Sequence, residues 1–425
     1  MTIRRDTAGF HPAAPFRGPT GNRSGGGQRM LRALVVSICT VIAAPAALAE
    51  QTTFFRIGTG SIGGTYFPIG GVIANAISNP PGSPACDRGG SCGVPGLIAM
   101  ASASAGSVAN IENMGAGVLE SGLVQADIAH WAVTGTGLYE GNEEFADLRA
   151  IARLYPEIVH FVVPAESGIE SVRDLEGRRV SLGELRSGTL IDSRLVLEAH
   201  GLTVDDIEAV YMHAEPASDM MVNGELDAFT IVGGAPLLAV EDIARRMPIR
   251  ILSMEPEAID ALISENSFFT HESVRADIYP GVDEWESIAV SAIWVTTTDT
   301  DPDLLYGITR ALWNPNTLAD LVRTHPRGSD IRLESATVGL GVPLHPGAER
   351  YYREIDLLPD ETPDGQDVRD DPSGGGAPLL DPPVSPPMAD DGAATDRDSS
   401  NIVVPEVVQG LLELGPPQQK PVQTQ

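Results

Sequence analysis

Short apolar runs alternate with segments of helical periodicity along most of the chain. The first run, residues 54–57, predicts a β-strand that leads into a glycine-rich loop and then into a helix. Apolar side chains recur at helical spacing over residues 69–77, and Pro68 falls in the first turn, where its missing N–H is tolerated. The loop contains four glycines, which allow a ligand to approach the backbone closely: Gly58, Gly60, Gly63 and Gly64.

The order of strand, polar loop and helix start is repeated further along the chain. Residues 96–102 predict a second strand, and a polar loop then leads to a helix with Ser107 as its N-cap and Gly122 near its end. A third strand is predicted over residues 123–129. Two helix N-termini would then face the carboxyl ends of parallel strands, where ligands bind in open α/β sheets. Because free N–H groups at helix starts attract carboxylates and phosphates, the pattern predicts a site for an anion.

Two apolar runs are longer than an ordinary strand: residues 148–164, with Pro156 in the middle, and residues 285–298. We expect the first run to be interrupted at the proline, and we interpret both as crossovers that connect two domains and form a hinge. Between them the pattern predicts short strands around residues 178–184, 207–212, 225–234 and 248–254, and helices over residues 190–200 and 236–246.

The alternation of strands and helices predicts an α/β protein with two lobes. Residues 54–150 together with 286–358 are expected to form lobe 1, and residues 151–285 to form lobe 2. The last part of lobe 1 includes a predicted helix over residues 301–313. A globular segment of this length is sufficient for two domains.

The two ends of the chain differ in composition from the middle. Two arginines precede an apolar run that ends in Ala-Leu-Ala at positions 47–49, a pattern typical of a signal-peptidase site. We therefore expect residues 1–49 to be a signal peptide with an N-terminal extension, with translation starting at Met1 or Met30, and the mature protein to be periplasmic. Residues 359–425 are rich in proline and acidic side chains, which predicts a disordered tail.

Two cysteines, Cys86 and Cys92, remain once the predicted signal peptide is removed. They lie close together in a segment that is rich in glycine and proline. A disulfide suits an exported protein and would stabilise the fold by roughly 2 kcal/mol on the chain-entropy estimate. Two thiols without a nearby histidine make a poor zinc site, and a pair of free thiols is the remaining alternative.

The chain is strongly acidic, with a formal net charge of −30 and a single lysine, Lys420. Nucleic-acid binding is excluded as a function, because it depends on Lys and Arg side chains that neutralise phosphates. An anionic solute would be repelled at long range, so its binding would need helix dipoles and a specific arginine in the site. Beyond the signal peptide, no stretch reaches the roughly 20 apolar residues of a membrane span, so we expect a soluble mature protein.

The glycine loop also matches G-x-G-x-x-G at Gly58, Gly60 and Gly63, the pattern of a dinucleotide-binding turn. The acidic residue that would confirm such a site, about 20 residues later, is missing. A loop for a small solute and a purely structural turn are the other interpretations. The chain has no H-E-x-x-H motif, and its eight histidines show no ligand spacing, so we expect no metal, no cofactor and no catalytic activity.

Six separated segments resemble those of one family. They are IGTGSIGGTYFPIGG, SASAGSVANI, LVQADIAHWA, DLEGRRVSLGELRSGTLIDSRLVLEAHGL, GELDAFTIVGGAP and LHPGAERYYRE, in this order between residues 54 and 358. Together they resemble the TAXI solute receptors, the extracytoplasmic subunits associated with tripartite ATP-independent periplasmic (TRAP) transporters. The resemblance implies a two-domain periplasmic binding protein, a type II-like clamshell, that captures a small organic anion or amino acid and delivers it to a TRAP permease.

The resemblance also implies which residues bind the solute. Arg186 would supply a cation and Glu184 could accept an amine, although the same two side chains could instead pair with each other at the surface. The implied ligand-binding residues are Gly60, Ser61, Gly63, Gly64, Thr65, Tyr66, Ser104, Ser107, Asn110, Gln125, Asp127, Arg186, Ser187, Gly188 and Thr189.

Several of these residues also have a structural interpretation. Ser187 and Asp127 are suited to cap the helices that follow them. Tyr66 could belong to the core, and Gln125 could bond the backbone of a neighbouring loop. These alternatives stay open at the level of the sequence.

The sequence therefore predicts a solute receptor and not an enzyme. Its solute would be a small carboxylate-bearing molecule, either an amino acid such as glutamate or a dicarboxylate. The alternative is a periplasmic sensor or scaffold, in which the same fold reports solute occupancy to a signalling partner.

Overall fold

The structure, a computed structural model, describes residues 52–359 apart from positions 85, 89 and 143. The predicted signal peptide, residues 1–49, lies outside the described residues, as does all but the first residue of the predicted tail. Within the described part, no helix is both long enough and apolar enough to cross a membrane.

The described residues form twelve β-strands and ten α-helices. The strands are β1 Thr53–Gly58, β2 Ser78–Asn79, β3 Val94–Pro95, β4 Leu97–Ser102, β5 Ser121–Gln125, β6 Leu148–Pro164, β7 Arg179–Ser181, β8 Glu208–Val210, β9 Ala228–Gly233, β10 Ile249–Ile251, β11 Thr270–Val274 and β12 Trp285–Thr297. The helices are α1 Tyr66–Ile77, α2 Ser107–Gly115, α3 Ala126–Thr134, α4 Gly188–Ala199, α5 Ala214–Val222, α6 Leu238–Arg246, α7 Pro256–Glu265, α8 Pro302–Leu312, α9 Pro315–Thr324 and α10 Pro346–Glu354.

Ten of the strands form one sheet, in the order β4-β1-β5-β12-β6-β9-β7-β8, with β10 paired to β6 and β11 paired to β12. Strand β1 runs parallel to β4 and β5, and strand β7 runs parallel to β8 and β9. We call β1, β4 and β5, with the helices α1, α2 and α3 that follow them, the first side. Strands β7, β8 and β9, with the helices α4, α5 and α6 that follow them, are the second side.

Two long strands lie between the sides. Strands β6 and β12, of 17 and 13 residues, pair antiparallel with each other. Strand β12 also pairs with β5 of the first side, and β6 pairs with β9 of the second side. The prediction of an α/β fold with two long crossover strands is therefore confirmed. The boundaries of the two lobes stay a prediction.

The expected interruption at Pro156 is wrong, because β6 continues through it. Pro156 pairs with Ser291, next to a register irregularity between Ser291 and Ile293 of β12. A proline has no N–H to donate to a ladder, so it is tolerated best where the pairing is already irregular.

Alternate residues of β6 pack on opposite faces of the sheet. Val159 and Phe161 belong to one buried apolar cluster, whereas Ile158 and Val162 belong to another. Because successive side chains of a strand point to opposite faces, a strand that is covered on both faces needs an almost continuous apolar sequence. This requirement explains the long apolar run that the sequence shows.

Two boundaries on the first side differ from the prediction. The third strand ends at Gln125, and the next residues form α3 instead of continuing the strand to residue 129. An apolar run as short as this one fits either a strand or a helix turn by pattern alone. Ser107 is the first residue of α2 and Gly106 precedes it as the cap, and the helix ends at Gly115. Gly106 has φ 119°, a backbone conformation that favours glycine.

The predicted disulfide is confirmed. Cys86 and Cys92 are joined in the loop between β2 and β3. The bridge lies in the part of the first side that follows α1, away from the strand ends where the candidate site is found.

Candidate functional site

A cavity of about 70 Å³ lies between the first side and the second side. Glycine-rich and hydroxyl-bearing loops at the ends of the strands form most of its wall. Its lining residues are Gly60, Ser61, Gly64, Thr65, Tyr66, Ala105, Gly106, Ser107, Gln125, Glu157, Gly183, Glu184, Ser187, Gly188, Thr189, Met212, His213, Ala214, Thr230, Ile231 and Val232.

Four helices begin at the cavity. The first residues of α1, α2, α4 and α5 are Tyr66, Ser107, Gly188 and Ala214, and all four line it. Two of these helices belong to the first side and two to the second. The partial positive charges of the four N-termini therefore act on the same small volume, which favours an anionic group there.

Ten of the fifteen predicted binding residues line the cavity. Their proposed contact with a solute stays a prediction, since the structure contains no ligand. The ten are Gly60, Ser61, Gly64, Thr65, Tyr66, Ser107, Gln125, Ser187, Gly188 and Thr189.

The other five predicted residues lie outside the cavity lining. Gly63 and Ser104 line a larger outer groove of about 860 Å³ that shares part of its wall with the cavity. Asn110 is fully buried, and its amide donates to the carbonyl oxygens of Thr59 at 2.7 Å and Leu123 at 2.8 Å. Asn110 therefore holds two strand ends of the first side together.

Arg186, the expected cation of the site, points away from the cavity. Its guanidinium forms an ion pair with Glu112 of α2 at 2.6 Å, and its carbonyl oxygen accepts a hydrogen bond from Ala109 N at 3.0 Å. The surface pair between Arg186 and Glu184 does not form either, because Glu184 Oε2 lies 2.7 Å from His213 Nε2. Arg186 thus joins the loop before α4 to the first side.

Apart from the phenol of Tyr66, the ionisable side chains of the cavity wall are two carboxyls and one imidazole. They are Glu157, Glu184 and His213, and neither arginine nor lysine is among the lining residues. Glu157 is 2% exposed and accepts a hydrogen bond from Tyr66 Oη at 2.6 Å. Burial raises the pKa of Glu157 to about 8, so this carboxyl is largely protonated at neutral pH. Partial burial also raises the pKa of Glu184, which His213 partly offsets.

Several lining side chains have partners within the protein. Ser187 Oγ accepts a hydrogen bond from Leu190 N at 3.0 Å, so Ser187 caps α4, as its structural interpretation expected. Thr65 Oγ1 donates to Gly234 O at 2.9 Å, which joins α1 of the first side to the loop after β9 of the second. Ser107 Oγ accepts from Gln125 N at 3.1 Å.

The glycine loop is also engaged by the protein itself. Gly63 N donates to Glu215 Oε1 of α5, and Gly64 N donates to Ser61 O at 3.2 Å. Two of the amides that were expected to hold a solute carboxylate therefore have internal acceptors. Glu215 belongs to the second side, so its bond to Gly63 is a further link across the cleft.

The cleft between the two sides is closed. Gln125 Nε2 of the first side donates to Asp192 Oδ2 of α4 at 2.6 Å, in addition to the contacts of Arg186, Thr65 and Gly63 described above. Gly188 lies so close to Gln125 that a Cβ placed on it would be 1.3 Å from Gln125 Oε1. Only glycine at this position allows the start of α4 to approach the first side this closely.

Residues 57–355 match the model of the NMT1-like family. The chain belongs to the NMT1-like family. The match begins within β1 and ends just after α10, the last helix. The more specific prediction, a TAXI receptor of a TRAP transporter, stays a prediction.

The fold of this NMT1-like chain is similar to several solved structures. The alkanesulfonate-binding protein SsuA from Xanthomonas axonopodis pv. citri, bound to MOPS, is 16% identical, with a TM-score of 0.35 over 72% of this chain and 85% of that chain. The periplasmic aliphatic sulphonate binding protein SsuA from Escherichia coli is 15% identical, with a TM-score of 0.37 over 73% and 94%. A binding protein component of an ABC phosphonate transporter from Pseudomonas aeruginosa is 12% identical, with a TM-score of 0.38 over 64% and 80%.

The site of this NMT1-like protein includes residues that the sequence did not indicate. Glu157, His213 and Thr230 line the cavity, and Glu215 holds Gly63 at its edge. A signal for Glu157 was present, because a carboxylate within an otherwise apolar 17-residue strand is unusual. His213 and Glu215 lie at the start of α5, a helix whose sequence AEPASDMMV has little helical periodicity.

Among the described residues, no group of three or more His, Cys, Asp or Glu side chains is arranged to hold a metal ion. Asp127, a predicted binding residue, is fully buried outside the cavity lining, and the nearby carboxyl of Asp192 affects its pKa.

Proposed function

We propose that this protein is an exported receptor that captures a small carboxylate-bearing solute in the cavity and delivers it to a membrane permease. The observation that carries the proposal is the convergence of four helix N-termini, two from each side of the sheet, on one small volume. A TRAP permease is the partner that the sequence resemblance favours.

The size of the cavity suits a small solute. One buried water needs roughly 10–15 Å³ of cavity volume, so a cavity of about 70 Å³ takes several waters or one small molecule. A solute that contacts both sides stabilises the closed cleft over the open one, because a ligand shifts such an equilibrium by its difference in affinity for the two forms.

The charges of the wall favour an amino acid over a dicarboxylate. A single carboxylate is stabilised by the helix starts at Ser107 and Gly188. A second carboxylate would meet Glu184, and the lining has no arginine or lysine to neutralise it. An ammonium group would instead form an ion pair with Glu184.

Calorimetric titration with L-glutamate, L-alanine, succinate and glucose tests the proposal. We expect an amino acid to bind, succinate to bind more weakly, and glucose not to bind. Glu184→Gln should weaken amino-acid binding about tenfold, since it removes an ion pair of roughly 1–2 kcal/mol in a partly buried site. Glu257→Gln on α7, an exposed carboxylate outside the linings of the cavity and the outer groove, is the matched control. Absence of binding by every amino acid and dicarboxylate tried would contradict the proposal.

Delivery to a permease needs a separate measurement. A strain that lacks this receptor should lose uptake of the radiolabelled solute identified by calorimetry, and the restored gene should recover it. Uptake that persists without the receptor would argue instead for the sensor alternative.

A further inference from the structure

Three buried carboxyl groups lie close together at the cavity, and one of them, Glu157, lines it. Asp127, Asp192 and Glu157 are 0%, 0% and 2% exposed. Asp127 belongs to α3 of the first side and Asp192 to α4 of the second side, whereas Glu157 belongs to the long strand β6 between them. The cluster therefore crosses the closed cleft.

The carboxyls of Asp127 and Asp192 are near enough for each to shift the pKa of the other. No side-chain N–H or O–H group of the described residues donates to either oxygen of Asp127 or to Oδ1 of Asp192. Asp192 accepts from Gln125 Nε2 at 2.6 Å, and Glu157 accepts from Tyr66 Oη at 2.6 Å. Two neighbouring buried carboxyls can form a hydrogen bond only when one of them holds a proton, because two carboxylates repel each other.

The surroundings offer little positive charge to stabilise ionised carboxylates. On α3, His130 and the backbone amides of Asp127 and Ile128 partly stabilise the charge of Asp127. The remaining groups that act on the pair are Glu157 from β6 and Gln125 from β5, and neither of them is cationic. Ionising both aspartates in the closed cleft would thus place two adjacent negative charges in a buried site.

We propose that closure of the cleft takes up a proton onto the pair formed by Asp127 and Asp192, so that closure and solute affinity increase as the pH falls. The predicted change in solute affinity rests on the proposed function, whereas the proton uptake depends only on the approach of the two sides to each other. The pair holds the sides together when it is protonated and repels them when both carboxyls are ionised.

The direction of the pH dependence follows from the difference in carboxyl pKa between the closed and the open cleft. In the closed form, burial raises the pKa of Asp127 to about 6 and raises the pKa of Asp192 well above its usual range. Opening moves α4 away from α3 and admits water, so both values return toward the ordinary value of about 4. The closed form then binds more protons than the open form near neutral pH. Acid favours closure, and rising pH favours opening until the closed form also loses its proton.

The expected change of solute affinity with pH is set by the number of protons that the protein takes up when the cleft closes. Uptake of one proton on closing changes the affinity for solute up to tenfold per pH unit, between the pKa of the open form and that of the closed form. Because the two carboxyls titrate as a unit, the measured values belong to the pair and not to either residue.

The test compares the wild-type protein with Asp192→Asn, whose amide stays neutral at every pH and can donate to Asp127 while accepting from Gln125. Asp260→Asn, an exposed position on α7, is the matched control. Calorimetry with L-glutamate in two buffers of different ionisation enthalpy counts the protons taken up on binding. We expect Asp192→Asn to take up about one proton fewer at neutral pH than the wild type and the control.

A measurement without ligand separates this inference from the proposed function. Small-angle scattering of the ligand-free protein should show a smaller radius of gyration at about pH 5.5 than at about pH 8 for the wild type, a range over which raised carboxyl pKa values change the charge. Asp192→Asn should stay compact over the whole range. If L-glutamate does not bind but this difference is present, the proton inference stands and the proposed function fails.

Two results would overturn the inference. One is a radius of gyration that does not depend on pH in the wild-type protein. The other is equal proton uptake by the wild type and Asp192→Asn. Should Asp192→Asn fail to fold by circular dichroism, Asp127→Asn is the second variant, and the same loss of pH dependence is expected of it.

Discussion

Gly188→Ala tests whether the cleft must close tightly at the start of α4. The added Cβ would lie 1.3 Å from Gln125 Oε1, 2.5 Å from Gln125 Cδ and 2.9 Å from Ser107 Oγ. Two atoms that are not bonded to each other cannot lie 1.3 Å apart, so Gln125 must leave its position or the two sides must stay apart. In the open form the alanine meets neither residue, because both belong to the first side.

The magnitude follows from the contact that is lost. Gln125 Nε2 donates to Asp192 Oδ2 at 2.6 Å, and both residues are buried. Losing this hydrogen bond and leaving its acceptor unsatisfied costs about 1–3 kcal/mol. The closed form is destabilised by that amount, so affinity for the solute should fall about 5-fold to 150-fold. The free energy of unfolding should change little, since alanine is at least as favourable as glycine in a helix.

Isothermal titration calorimetry measures the affinity, and thermal denaturation checks the fold. Gly71→Ala is the matched control, because Gly71 lies in α1 and a Cβ there meets nothing within 4 Å. It should keep full affinity and raise the melting temperature slightly. An affinity of Gly188→Ala within twofold of the wild type would refute the requirement for close approach.

Three further predictions concern a link across the cleft, the disulfide and the core. Glu215→Gln should weaken solute binding about threefold to tenfold by calorimetry, because a carboxylate accepts a stronger hydrogen bond from Gly63 N than an amide does; unchanged affinity would show that this contact does not stabilise closure. Cys92→Ser should lower the free energy of unfolding by roughly 2 kcal/mol in urea titration, since it opens the disulfide loop, and an equal midpoint for the reduced and oxidised wild type would contradict this. Trp294→Ala should lower the free energy of unfolding by about 3–5 kcal/mol, because it empties a fully buried site in β12 and removes the hydrogen bond from Trp294 Nε1 to Ser121 Oγ. A decrease of less than about 1 kcal/mol would be inconsistent with that burial.

The sequence was sufficient to predict the elements whose pattern is local. The loop from Gly58 to Thr65 and the helix after it follow from glycine and from a 3.6-residue period, and both long strands follow from continuous apolar runs. Helix α5 was missed because Pro216 and two acidic residues leave it with little apolar periodicity. Its position depends on packing against β9 and α6, which no local pattern records.

The candidate site was predictable only in part. Loops that precede helices were recognised, and most of them meet at the cavity. The destination of Arg186 was not predictable, because its partner Glu112 lies on a different helix far away in the chain. The closeness of Asp127 and Asp192 was not predictable for the same reason. A carboxylate among the apolar residues of α4 was nevertheless a signal of a buried polar group on that face of the helix.

The most direct test of the account is a crystal structure of the protein grown with the amino acid that binds tightest in calorimetry. The account predicts electron density for its carboxylate at the starts of α2 and α4, next to Ser107 and Gly188, with its ammonium group at Glu184 and the cleft closed around it. Density for the amino acid at another surface, or an empty cavity at saturating concentration, would contradict the account.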